Sequence, residues 1–103
     1  MNFQTRADAD SVRILIEGDV DMLVVAELRK ALRRVMEPKP RRVVIDLALV
    51  PFIDSSGIAV IVEGLKRARS WSGKVQVENC QDTVRDTFDI AGLTEIFGIE
   101  KKR

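Results

Sequence analysis

The chain has 103 residues, 46% hydrophobic and 32% charged, with a net charge of +1. At ~100–200 residues per domain this predicts one soluble globular domain over 1–103, large enough to fold without staples. The near-neutral balance argues against a dedicated nucleic-acid or anionic-membrane binder, and the lack of any histidine excludes His-based triads and His-containing zinc sites.

Taken in order, Phe3 to Arg6 reads as a short strand, and Asp8-Ala9-Asp10-Ser11 carries turn chemistry. Val12, Ile14 and Ile16 alternate with Arg13, Leu15 and Glu17, the pattern of a strand with one buried face. Gly18-Asp19-Val20-Asp21 breaks that strand. Asp21 is expected to be the N-cap of a helix over Met22–Met36, where Val25, Leu28, Leu32 and Val35 form an apolar stripe. Pro38 and Pro40 stop it.

Val43-Val44-Ile45-Asp46-Leu47 is nearly continuous in apolar character, which suits a central strand. A loop through Pro51 leads to Phe52-Ile53-Asp54-Ser55-Ser56-Gly57 and a helix over about Ser56–Trp71. Gly73 is placed for a left-handed cap at its end. Lys74–Glu78 reads as a strand, and residues 82–91 as a helix with Val84, Phe88 and Ala91 inward and Gly92 as its cap. Leu93–Phe97 reads as a short last strand, followed by a charged tail, Glu100-Lys101-Lys102-Arg103. Alternating strands and helices make the class α/β with a small sheet.

Other features have bland readings. Cys80 is the single cysteine, so it forms no internal disulfide; it reads as a buried or half-buried small residue. The longest apolar stretch, Leu47–Ile53, is far short of the ~20 residues of a membrane span. Met1-Asn2-Phe3-Gln4 lacks the basic start and apolar core of a signal peptide, so the expected compartment is the reducing cytoplasm. Arg29, Lys30, Arg33, Arg34, Lys39, Arg41 and Arg42 read as a solvated face, since no aromatic residues interleave with them to stack bases. Trp71, Phe88 and Phe97 read as core or edge packing. Asp19 and Asp21 read as capping residues, because two carboxylates alone are a poor cation site.

Asp54-Ser55-Ser56-Gly57 admits two readings. Asp, Ser and Gly are ordinary residues at a helix start, where side-chain oxygens satisfy free N–H groups. The same geometry exposes a hydroxyl where the helix dipole tolerates negative charge, so a phosphate could be added without upsetting the fold. A nucleophile elbow does not fit, because neither serine has a glycine two residues before it.

Four segments together resemble one family. They are Gly18-Asp19-Val20-Asp21, Val43-Val44-Ile45-Asp46-Leu47, Phe52-Ile53-Asp54-Ser55-Ser56-Gly57-Ile58-Ala59-Val60 and Phe88-Asp89-Ile90-Ala91-Gly92-Leu93. They are similar to the STAS domain of anti-sigma factor antagonists, across nearly the whole chain. The resemblance implies a small mixed sheet with helices packed mainly on one side. It implies a partner, an anti-sigma factor that is also a serine kinase of the GHKL-type ATP-binding fold, and a PP2C-type phosphatase. The unphosphorylated antagonist binds the kinase and frees the sigma factor; phosphorylation separates the pair. Carried over, Ser55 is the acceptor, and Asp21, Met22, Asp54, Ser55, Ser56, Gly57 and Ile58 form the partner face. No catalytic residue, cofactor or metal, and no direct contact with nucleic acid or membrane, is implied. Gly57-Ile58-Ala59 departs from the common Gly-Leu-Gly, so Ala59 brings a methyl group near the partner face. The alternative is a STAS subunit that is never phosphorylated and serves assembly, as in a lipid-transport ATPase complex or a signalling scaffold.

Overall fold

The structure, a computed structural model, describes residues 1–100; residues 101–103 of the charged tail lie outside the described residues. Seven elements follow in chain order: β1 (Asn2–Ala7), β2 (Ser11–Glu17), α1 (Val25–Met36), β3 (Arg42–Leu49), α2 (Ser55–Arg69), β4 (Lys74–Glu78) and α3 (Asp82–Ile90). They build one sheet in the order β1-β2-β3-β4. β1 runs antiparallel to β2, while β3 and β4 continue parallel. Parallel neighbours need crossovers, and α1 and α2 supply them. The class and the small mixed sheet agree with the sequence reading.

Register explains the two faces of the sheet. Val12 pairs with Val43 and Val43 with Val75; Ile14 pairs with Ile45 and Ile45 with Val77. Side chains alternate along a strand, so these residues share one face. That face joins Leu28, Leu32 and Met36 of α1, Ile58, Ile61 and Leu65 of α2, and Val84 and Phe88 of α3 in one core. Burying each such side chain contributes about 1.5–3 kcal/mol. The other face is mixed, with buried Val44 and half-buried Leu15 among charged side chains. Arg13 reaches across it to Asp46 at 2.9 Å and Glu78 at 2.6 Å. The half-exposed geometry limits what these pairs add to stability.

Four expectations need correction; the first is Ala91, expected inward on the last helix, which is exposed and lies just past the end of α3. Leu93–Phe97 is a set of turns rather than a strand. Gly92 (φ +73) and Gly98 (φ +67) bracket it in left-handed conformations, which bend the chain away from an extended path. The one ladder-like link is Val77 N–H donating to Phe97 C=O at 2.9 Å. Phe97 stays buried, edge-on to Phe88 with ring centroids 5.7 Å apart. At the end of α2 the left-handed residue is Ser72 (φ 63), not Gly73. Gly73 is needed for space: a Cβ there would lie 2.6 Å from Trp71 Nε1 and 3.0 Å from the Pro40 carbonyl oxygen. Asp21 does not cap α1, which begins at Val25 with Val24 as its N-cap and no side-chain cap bond.

Cys80 is buried as expected. Burial pushes its thiol up to about 11, with the Arg85 charge opposing part of the shift. A thiol held neutral in this way is not a reactive one.

Candidate functional site

The loop between β3 and α2 is built by its own side chains. Asp54 is the N-cap of α2 in an extended conformation. Its Oδ1 accepts from the Gly57 N–H at 3.0 Å and from the Ser56 hydroxyl at 2.5 Å. These bonds hold the Asp54 carboxyl below the usual carboxylate range, the Ser56 hydroxyl first and the Gly57 N–H second. The backbone amides of Ser56 and Met22 add to the shift, and partial desolvation opposes it. Ser56 is thus an internal brace. Ser55 is exposed, and its hydroxyl has no hydrogen-bond partner among the described residues.

A second loop, from β2 to α1, is laced to the first. Val20 and Ile53 form a parallel bridge. Val20 N–H donates to Phe52 C=O at 2.9 Å, and Asp54 N–H donates to Val20 C=O at 3.0 Å. Gly57 sits hard against this bridge: a Cβ there would lie 2.6 Å from Val20 Cγ1 and 2.9 Å from Ile53 Cγ1. Asp21 organises the following turn, its Oδ1 accepting from Leu23 N–H at 3.0 Å and its carbonyl from Val24 N–H at 3.1 Å.

The structure therefore gathers the sequence-derived residues at one end of the sheet. Asp21 and Asp54 each brace one loop, and Ser55 is free at the start of α2. Met22 is 73% exposed. Gly57 and Ile58 are buried beneath, so their part is to shape the surface rather than to meet a partner face-on. Sequence reasoning missed Val20, the fixed link between the loops, and the exposed apolar side chains Leu23 (86% exposed), Leu49 (47%) and Phe52 (49%). Leu23 was legible in principle, since it falls off the α1 stripe and has no core role. Nothing local marked Val20, because its partner lies in the other loop.

The two loops lie together at one end of a four-stranded mixed sheet in a small α/β domain, with an exposed serine on a braced helix start. The chain matches the STAS domain family over residues 2–103 and belongs to that family. It is 28% identical to the "Anti-sigma-B factor antagonist" of Bacillus subtilis (strain 168) over 102 residues, covering 99% of this chain and 93% of the relative. Its fold is similar to that of the anti-sigma factor antagonist SpoIIAA in its unphosphorylated form. There the TM-score is 0.81 at 22% identity, covering 92% of this chain and 84% of the other. The phosphorylated form of the Bacillus cell fate determinant SpoIIAA is also similar, with TM-score 0.73 at 21% identity over 92% and 87% of the two chains. At these identities the structural likeness speaks for the fold alone.

Proposed function

We propose that this chain is an anti-sigma factor antagonist, a binding protein rather than an enzyme, switched by phosphorylation of Ser55. The observation that carries the reading is the contrast within Asp54-Ser55-Ser56-Gly57: Ser56 is hydrogen-bonded into the loop, and Ser55 is exposed and uncommitted. Curated relatives named as anti-sigma-B factor antagonists support it. The partner is an anti-sigma factor with serine-kinase activity of the GHKL type. Its docking face comprises Asp21, Met22, Leu23 and Phe52 around Ser55, with Asp54, Ser56, Gly57 and Ile58 shaping the loop. The exposed Met22, Leu23 and Phe52 supply apolar anchors of the kind that dominate interface energy.

The transfer step forms a bond between Ser55 Oγ and the γ-phosphorus of ATP and breaks the bond to ADP. The hydroxyl proton passes to a base on the kinase, since this chain has no histidine and Asp54 is held as an anion by its own loop. The phosphate adds about −1.5 to −2 charges, which turns a net charge of +1 negative. At a helix start the added charge is tolerated by the domain itself. In an apolar interface it must be desolvated, and the complex separates. A PP2C-type phosphatase restores the serine by hydrolysis. The site of action is the cytoplasm, where sigma factors operate; no described helix is long and apolar enough to cross a membrane.

The test is phosphorylation by the cognate kinase with ATP, mapped by mass spectrometry, together with calorimetric titration of the kinase. One phosphate on Ser55 is expected. Ser55→Asp is expected to bind about tenfold or more weakly, a loss of about 1.4 kcal/mol. Ser55→Ala should bind normally and resist release by ATP. Absence of phosphate on Ser55, with Ser55→Asp binding unchanged, overturns the switch and favours an assembly subunit.

A further inference from the structure

A cavity of about 610 Å³ lies at the opposite end of the sheet from Ser55. Four strands share one inner face, and α1 and α2 cross over β2–β4, so the inner side of the edge strand β1 is incompletely covered. Phe3, Thr5 and Ala7 of β1, in register with Ile16, Ile14 and Val12, form one wall. Ala31 and Val35 of α1 and Pro38 beyond it form another. The size falls within the ~300–1,000 Å³ of small-molecule sites.

The rim is charged, and its cations are uncommitted. Arg34, Lys39 and Arg41 line the cavity, and none forms an ion pair or side-chain hydrogen bond among the described residues. Two acids of the β1–β2 turn, Asp8 and Asp10, also line it; an Asp8 carboxylate oxygen accepts from the Ala9 N–H at 2.8 Å. The backbone of the rim is fixed from behind. Arg41 N–H donates to Asp10 C=O at 2.8 Å, and Lys74 N–H to Arg41 C=O at 2.9 Å. Trp71 Nε1–H donates to Pro40 C=O at 2.8 Å. A preformed apolar wall beside cations without partners, two of them forked guanidiniums suited to a carboxylate, sets the ligand class.

We infer that this cavity binds a small amphiphile with an aliphatic tail and a carboxylate head, the tail against Phe3, Ala31 and Val35 and the head on Arg34 and Arg41. This is a second site, independent of the Ser55 switch.

Three probes separate the contributions: octanoate, 1-octanol, which has the tail alone, and acetate, which has the head alone. Binding is read from the amide shifts of residues 31–37, 39 and 41 and from the emission of Trp71, the single tryptophan, through its bond to Pro40. Octanoate is expected to shift both saturably, octanol to bind about tenfold more weakly, and acetate not to bind. Arg34→Gln with Arg41→Gln, both exposed, should bring octanoate down to the octanol level. Thr5→Tyr, on an exposed strand position, should block both tailed probes by filling the cavity. The inference is overturned by non-saturable shifts, by equal binding of octanoate and octanol, by binding that ignores the arginine pair, or by shifts centred on residues 52–58.

Discussion

The starts of α1 and α2 lie side by side and are built in opposite ways. α2 begins on Asp54, whose carboxylate holds Ser56 and Gly57, and it is wedged against Val20 and Ile53. α1 begins without a side-chain cap, after a turn that leaves Met22 73% and Leu23 86% exposed. One start is fixed and holds a hydroxyl in place. The other anchors Val20 and Val25 against the core but leaves Met22 and Leu23 on the outside. A binding surface needs both, a rigid reference and an uncommitted apolar area.

The contrast can be broken hardest at Gly57. Gly57→Val should cost about 1–3 kcal/mol, because the new side chain has no space beside two buried branched residues. Thermal unfolding should show it, with the amide signals of both loops displaced. Asp54→Ala should cost about 0.5–2 kcal/mol as a lost cap. Asp54→Asn separates cap from charge. The folded carboxyl titrates lower than in the unfolded chain, so its stabilisation is present above the usual carboxylate range and disappears as pH falls through the folded value. Urea unfolding from neutral to acid pH should therefore lose less stability in Asp54→Asn than in the parent.

On the α1 side the effects on stability shrink while those on binding remain. Met22→Ser with Leu23→Ser should leave stability within about 0.5 kcal/mol per site, as exposed positions do. The same pair should weaken kinase binding by about 1 kcal/mol or more if the apolar area is an anchor. Asp21→Ala is the mildest for the fold, loosening one turn whose carbonyl bond to Val24 survives. Equal destabilisation by the Met22/Leu23 pair and by Gly57→Val would erase the distinction between the two helix starts.

Much of this was legible in the residues. Alternation in Val12–Ile16 and the apolar run Val43–Leu47 gave the strands, because a pleated face needs period two and a covered strand needs little polarity. Ser55–Gly57 was legible as a helix start because capping chemistry is local. The failures share a cause. Asp21 had the residue type of an N-cap, yet the bridge between Val20 and Ile53 fixes the chain direction there and delays α1 to Val25. Leu93–Phe97 has strand-like composition, but Phe97 is buried against Phe88, a contact that alternation cannot announce. The cavity beneath β1 was invisible for the same reason: it results from how far two helices reach, not from any run of residues.

The close fit of Gly57 changes how related sequences should be compared. The glycine is demanded by Val20 and Ile53, and the aspartate by the N–H groups of α2. Neither demand involves Ser55. If Ser55 is the proposed switch, a descendant that lost the partner acting on it would keep both residues under pressure from folding alone, while the Ser55 position drifted free. In a collection of such chains, an intact Asp and Gly would therefore record ancestry of the fold. The Ser55 hydroxyl would be the one character that records a surviving switch, because the Ser56 hydroxyl is held by Asp54.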